Sequence, residues 1–250
     1  MVQLLDGTIT SLQNDVASLP IAEALTLLTR AFSGKVTFST SFSYEDQVIT
    51  DLIQKNAPDV SIFTLDTGRM FPETYSVWSR TNERYNIHVT PYYPNTEAIQ
   101  EFVAANGPNA FYESLELRKG CCFIRKVEPL KRALEPAAVW ITGLRAEHSA
   151  ARQSLHVVEW DEGNKIIKYN PLLHWTFDEV LQYVNEHNVP YNSLHDKGFI
   201  SIGCAPCTRA IKPGEDFRAG RWWWEDESKK ECGLHVAGAA NPVVTTNVVD

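Results

Sequence analysis

The chain has 250 residues, is 44% hydrophobic and carries a formal net charge of −8. No run approaches the ~18–20 apolar residues of a membrane span, and the acidic balance argues against a general nucleic-acid binder. Five cysteines, two of them adjacent, make a poor disulfide framework. They suit a set of metal ligands plus one reactive thiol in a reducing cytoplasm. The opening MVQLLDGTITSLQND lacks a basic region followed by an apolar core, so no secretory leader is expected.

Residues 1–19 read as a weakly ordered lead-in. From Pro20, the apolar residues Ile21, Leu25, Leu28 and Phe32 fall on one helical face. Gly34 ends that helix, and residues 35–38 read as a short strand. Ser43 with Asp46 three residues on resembles a capping box for the helix EDQVITDLIQKN. Strand, hydroxyl-rich loop and helix N-terminus together suit an anion cradle, although a merely well-capped helix would look the same. Residues 60–65 form a second strand running into Asp66-Thr67-Gly68-Arg69. Pro72 opens another helix, and residues 87–90 give a third strand. Residues 95–106 look helical, and Gly120-Cys121-Cys122 leads into a helix ending near Leu134. Residues 138–142 are a fourth strand, followed by a loop with Arg145 and Arg152. Two short strands flank Asp161-Glu162-Gly163-Asn164 as a hairpin. Thr176 with Glu179 is a second capping box, and Pro190 stops the helix it opens. Helices alternating with strands predict an α/β fold: a mostly parallel central sheet with helices on both faces. Ligands of such sheets bind beyond the strands' carboxyl ends, where the loops at Ser41, Asp66 and Arg145 fall.

The cysteines carry the chemistry. Cys204 and Cys207 form a C-x-x-C turn, a common ligand pair for zinc or iron–sulfur. Cys121 and Cys122 are neighbours whose side chains diverge, which suits a cluster better than one tetrahedral ion. Four thiolates with no nearby histidine favour a [4Fe–4S] cluster, one per chain, over zinc; buried free thiols are the plainer alternative. Cys232 stands apart, close to Lys229, Lys230 and His235, with Arg218 and Arg221 upstream. Nearby positive charge favours the thiolate nucleophile and could hold an anionic substrate. A passive surface cysteine remains the alternative. A product left on Cys232 has no resolving thiol in its own segment, so an external dithiol would release it. In Arg221-Trp222-Trp223-Trp224, at least one ring is expected to pack in the core.

Five segments in this order make a specific pattern: STSFSYEDQ (39–47), LDTGRMFPETY (65–75), CCFIRKVEPL (121–130), YNSLHDKGFISIGCAPCTR (191–209) and GRWWWEDESKKECGLH (220–235). Over roughly residues 35–235 the chain closely resembles the assimilatory adenylyl-sulfate reductases, of the wider family that includes the 3′-phospho enzyme. Members using the 3′-phospho substrate typically lack the two cysteine pairs, so the cluster-bearing type is implied; some such members accept both substrates. The resemblance implies an adenine-nucleotide α-hydrolase-like fold. It also implies a single reductase domain over 1–235, with its sheet core at 20–200, its cluster and thiol segment at 201–235 and a flexible tail at 236–250. The loop from Ser39 to Asp46 is similar to the pyrophosphate loop of ATP pyrophosphatases, but bulkier residues around Phe42 and Tyr44 replace its glycines. That argues against an ATP pyrophosphatase-type sulfur transferase.

The activity implied is thioredoxin-dependent reduction of adenylyl sulfate to sulfite and AMP, serving sulfate assimilation and cysteine synthesis. Cys232 would be the catalytic nucleophile and would pass through an S-sulfocysteine. Cys121, Cys122, Cys204 and Cys207 would hold the cluster. Lys126, Arg218, Arg221 and His235 are expected around the sulfate, Ser41, Ser43, Arg145 and Arg152 around the phosphate, and Asp66 facing the adenosine. The partners implied are adenylyl sulfate, thioredoxin or a glutaredoxin-like dithiol, and further copies of the chain, up to a tetramer. No nucleic acid and no membrane is expected among them.

Overall fold

The structure is a computed structural model that describes residues 2–148 and 152–226. The expected tail at 236–250, and Cys232 and His235 with it, lies outside the described residues. Six strands form one sheet in the order β3-β2-β1-β4-β6-β5. They are β1 (Val36–Ser39), β2 (Ser61–Leu65), β3 (Thr90–Tyr92), β4 (Val139–Ile141), β5 (Val158–Asp161) and β6 (Ile166–Tyr169). All pairings are parallel except β5 with β6, which close as an antiparallel hairpin. This is the expected α/β fold of adenine-nucleotide α-hydrolase type. The third strand lies slightly later than the sequence suggests, because Val89 and its neighbours are spent turning off the preceding helix.

Strand alternation sets the two faces. Val36, Phe38, Ile62, Val139 and Ile141 point into the larger core, while Phe63, Trp140 and Ile166 point to the other side. The larger core is filled from α2 (Ile21–Ala31), α3 (Tyr44–Asn56), α4 (Pro72–Tyr85) and α8 (Phe177–Glu186). The opposite face is covered by α7 (Glu128–Leu134) through Leu130, Ala133 and Leu134. One expectation is corrected. Residues 1–19 are not a loose lead-in, for Val2–Ala17 form a helix, α1. Leu12 and Val16 enter the larger core, and Gln13 Nε2 donates to the Val158 carbonyl at 2.7 Å. Docking against the hairpin strand β5, rather than local propensity, stabilises this helix.

The remaining helices, α5 (Thr96–Asn106) and α6 (Leu115–Cys122), pack with Phe111, Trp222 and the cysteines in a third cluster. Cys121 and Cys122 end α6 and, as expected, lead into helical chain that runs to Leu134. The chain then passes through one π-helical segment, Phe123–Val127, straight into α7. Such wide turns recur at functional sites.

The helices around the larger core are also locked by one acid. Asp51, 1% exposed, accepts from Tyr85 Oη at 2.9 Å and Tyr183 Oη at 2.6 Å, and pairs with Lys55 at 2.6 Å. It thereby ties α3 to α4 and α8. Burial alone would raise its pKa, but the hydrogen bonds from Lys55 and the two tyrosines outweigh this and hold it below the usual carboxylate range. A depressed carboxyl stabilises the fold above its unfolded pKa, and that contribution is lost as pH falls through the folded value. Asp51→Ala should cost about 2 kcal/mol at neutral pH by leaving the tyrosine hydroxyls unpaired. In urea titrations, the gap from wild type should narrow below about pH 4.

Candidate active site

The strand order reverses beside β1: β2 and β3 extend to one side and β4 to the other. Crevices open at such switch points. A cleft of about 240 Å³ lies here, lined by Thr40, Ser41 and Ser43 after β1, Leu65 and Thr67 from β2, and Thr142, Gly143 and Leu144 after β4. Residues 200–204 and the loop with Phe217, Arg218 and Arg221 close its other wall.

The loop after β1 is built around Asp46. Its Oδ2 accepts from both the amide and the hydroxyl of Ser41, each at 2.6 Å. Ser43 caps α3 by accepting from the Asp46 amide at 3.3 Å. Burial pushes the Asp46 carboxyl up to about 6 against the pull of these serines. Part of the anticipated anion cradle is therefore already satisfied within the protein. Phe42 takes a left-handed backbone (φ 60) that is costly for a bulky residue. Its ring is 1% exposed and stacks on Trp78 at 5.7 Å, so core packing offsets the strain. Gly143 permits the close approach of β4's end to α3, since a Cβ there would collide with the Asp46 carboxylate.

The structure gathers six of the nine residues that the sequence assigns to the substrate around this cleft: Ser41, Ser43, Lys126, Arg152, Arg218 and Arg221. It places two elsewhere. Asp66 sits behind the wall, accepting from the Gly68 amide at 2.8 Å and from Tyr75 Oη at 3.0 and 3.1 Å, and braces the turn that presents Thr67. Arg145 is wholly buried, paired with Glu45 at 2.9 Å and with Glu147, and does not line the cleft. Both departures have one cause, the need of a buried charge or polar group for partners nearer than the ligand. The sequence reading also missed Gly203 and Gly143. Gly203 makes room for the Arg221 guanidinium, which a Cβ would strike. Nothing in composition marks either position.

A second, smaller cavity adjoins the first. All four cysteines line it, with Arg69, Arg118, Arg125 and Lys126. None of the four is in a disulfide. Cys204 Sγ lies 3.3 Å from Thr67 Oγ1. Burial first, then the neighbouring Cys204, pushes the Cys207 thiol up to about 12, and burial likewise raises Cys121. Among the described residues no three His, Cys, Asp or Glu side chains converge as a single-ion site. Arg125 Nε on this cavity's wall, and Trp222 Nε1 on the wall of the larger cleft, are buried donors without a partner. Trp222 packs in the same cluster as Cys121, Cys204 and Cys207. A sulfur-rich, negatively charged group held by the four thiolates fits this setting, because it supplies acceptors and balances the arginines. Lys126 and Cys204 line both cavities.

Gly143→Ala should therefore destabilise the fold by about 1–3 kcal/mol in urea titrations, by forcing Asp46 off Ser41. Gly107→Ala, where a Cβ meets nothing within 4 Å but φ is +81, should cost only backbone strain of about 1 kcal/mol.

Comparison with known proteins agrees with this geometry. The phosphoadenosine phosphosulfate reductase domain matches residues 35–210. The adenosine 5′-phosphosulfate reductase of Burkholderia cepacia is 51% identical over 202 residues, 81% of each chain. That of Sinorhizobium fredii (strain USDA 257) is 46% identical over 242 residues, covering 97% of this chain and 96% of the other. A crystal structure of phosphoadenylyl-sulfate reductase from Candida auris, a phosphate complex, superposes with a TM-score of 0.69 at 32% identity, covering 81% of this chain and 96% of that one. With these matches over most of its length, the chain belongs to the phosphoadenosine phosphosulfate reductase domain family.

Proposed function

We propose that this chain reduces adenylyl sulfate to sulfite and AMP, using a dithiol protein such as thioredoxin, in sulfate assimilation toward cysteine. The observation that carries the reading is the shared wall of the two cavities. Lys126 belongs at once to the arginine-rich nucleotide cleft and to the four-cysteine cavity. The two cysteine pairs favour adenylyl sulfate over its 3′-phospho form, since 3′-phospho enzymes typically lack those pairs. A reducing cytoplasm suits the free thiols, and no described helix is long and apolar enough to cross a membrane.

In this reading the nucleotide lies in the cleft at the switch point. The Ser43 hydroxyl and Arg152 face its phosphate, and Lys126, Arg218 and Arg221 face its sulfate. His235 belongs with the sulfate group on the resemblance alone. The Cys232 thiolate attacks the sulfate sulfur, forming a sulfur–sulfur bond. The bond from that sulfur to the bridging oxygen breaks, and AMP leaves with the electron pair. The cations offset the repulsion between thiolate and substrate, which is the electrostatic requirement of the step. One thiol of the reductant then attacks Cys232 Sγ, and sulfite departs with the electron pair. The second thiol resolves the mixed disulfide, returning Cys232 to its thiol while the reductant becomes a disulfide. Two electrons thus pass from the dithiol to sulfur.

Cys121, Cys122, Cys204 and Cys207 would hold one [4Fe–4S] cluster, a reading supported by the unpartnered Arg125 Nε on the same cavity wall. When bound, it would supply structural and electrostatic support to the sulfate end of the cleft, and the thiol chemistry is balanced without it.

Incubation with adenylyl sulfate, or with its 3′-phospho form, and thioredoxin tests the reading by sulfite release; no sulfite from either substrate refutes it. Cys232→Ser should keep AMP binding, iron content and brown colour yet form no sulfonated adduct by intact mass. An adduct on another residue would reassign the nucleophile. Lys126→Ala should slow S-sulfocysteine formation by about 10²-fold in single turnover while AMP affinity changes far less. Equal losses in both would remove Lys126 from the sulfate end.

A further inference from the structure

Arg145 is the most thoroughly enclosed cation near the cleft. Its side chain is 0% exposed and no atom of it lines the cavity wall. Nε donates to Glu45 Oε1 at 2.9 Å, and Nη1 donates to Glu147 Oε2 and to the Trp175 carbonyl at 3.2 Å. Glu147 in turn accepts from the Phe177 amide at 3.0 Å, at the start of α8. The guanidinium also stands against two rings, 5.6 Å from the centroid of Phe177 and 5.8 Å from that of Phe217. Those rings meet edge to face at 6.0 Å. One cation thus joins the first turn of α3, the loop after β4, the start of α8 and the loop that carries Phe217.

That last loop needs an anchor. It presents Arg218 and Arg221 to the cleft, and its inner ties are local: Asp216 accepts from the Arg218 amide at 2.8 Å, and the Arg221 amide donates to the Arg218 carbonyl at 2.8 Å. Its flanks are held by Arg209, whose amide donates to the Gly220 carbonyl at 2.9 Å and whose side chain pairs with Glu215. At its far end the Trp222 amide donates to the Cys207 carbonyl at 3.2 Å, which ties the loop to the C-x-x-C turn. Phe217 is the loop residue that reaches the guanidinium fixed at the end of β4.

We infer that Arg145 is a positioning residue, which acts through Phe217 to seat the loop carrying Arg218 and Arg221 and does not itself touch the nucleotide. This rests on the proposed function and deepens it, by moving Arg145 from the phosphate to the support behind the wall. A flat guanidinium that holds two carboxylates and two rings is not replaceable by lysine, whose ammonium is a compact point charge.

The test is a double-mutant cycle read as KM against kcat with adenylyl sulfate and thioredoxin. Arg145→Lys and Phe217→Leu should each raise KM about tenfold with kcat within about twofold, and the double variant should be no worse than either alone. Effects on KM that multiply, as expected of an arginine binding substrate directly, overturn the inference, as does an unchanged KM in Arg145→Lys. Glu147→Gln gives a second route should Arg145→Lys fold poorly, because the Glu147 side chain is 56% exposed and its loss strands no buried carboxylate. It should raise KM about threefold in the wild-type background and not at all with Phe217→Leu; a rise in both overturns the inference. A wild-type protein that makes no sulfite fails the functional reading as a whole. Sulfite from wild type with additive variants fails only the role of Arg145.

Discussion

The cleft depends on how closely the start of α3 approaches the end of β4. At that contact a carboxylate, Asp46, lies against a residue without a side chain, Gly143. The approach lets one carboxyl organise the loop after β1, through the Ser41 amide and hydroxyl. It also brings Glu45, the neighbouring residue, within reach of Arg145 on the opposite loop. Two adjacent acids at a helix N-terminus would be poor company for an anionic substrate. Here one is paired with a buried arginine and the other is turned onto the Ser41 amide and hydroxyl, so each acid has a partner within the protein.

Around that contact the positive charge is divided in two. Arg152, Arg218 and Arg221 serve the cleft, while Arg69, Arg118 and Arg125 surround the thiols. Trp222 separates the groups. Arg118 stands 4.7 Å from its ring and Arg221 4.6 Å, and Arg118 is further fixed by a two-pronged pair with Glu225. The aromatic ring is buried, and its own backbone is left-handed (φ 41). Packing on both cations is what offsets that strain.

Much of this was legible in the sequence, for physical reasons that can be named. Strands and helices announced themselves by period, and Ser43 and Thr176 marked helix starts because their hydroxyls have few better uses than an exposed amide. The loops at strand ends followed from the parallel sheet. What stayed hidden depends on contacts between residues far apart in the chain. Arg145 looked like a ligand because Glu45, 100 residues away, is invisible from its own segment. Helix α1 looked loose because its stabilising partner is the hairpin strand β5. The change of helical winding just after the adjacent cysteines stayed hidden too, because it leaves no mark in composition.

That change of winding has a structural cost of its own. In the segment Phe123–Val127 the helix carries one more residue per turn than it would otherwise hold, with the thiols on one side and the core-facing Leu130 and Leu134 on the other. A regular α-helix advances about 100° per residue. Removing one residue there would let the helix relax to ordinary pitch while Cys121 and Cys122 and the sheet-packing face of α7 keep nearly their present directions, and what would be lost is the wide turn itself. The extra residue thus serves the wide turn that sets Arg125 and Lys126 beside the thiols, rather than the distance between a reactive surface and a hydrophobic one.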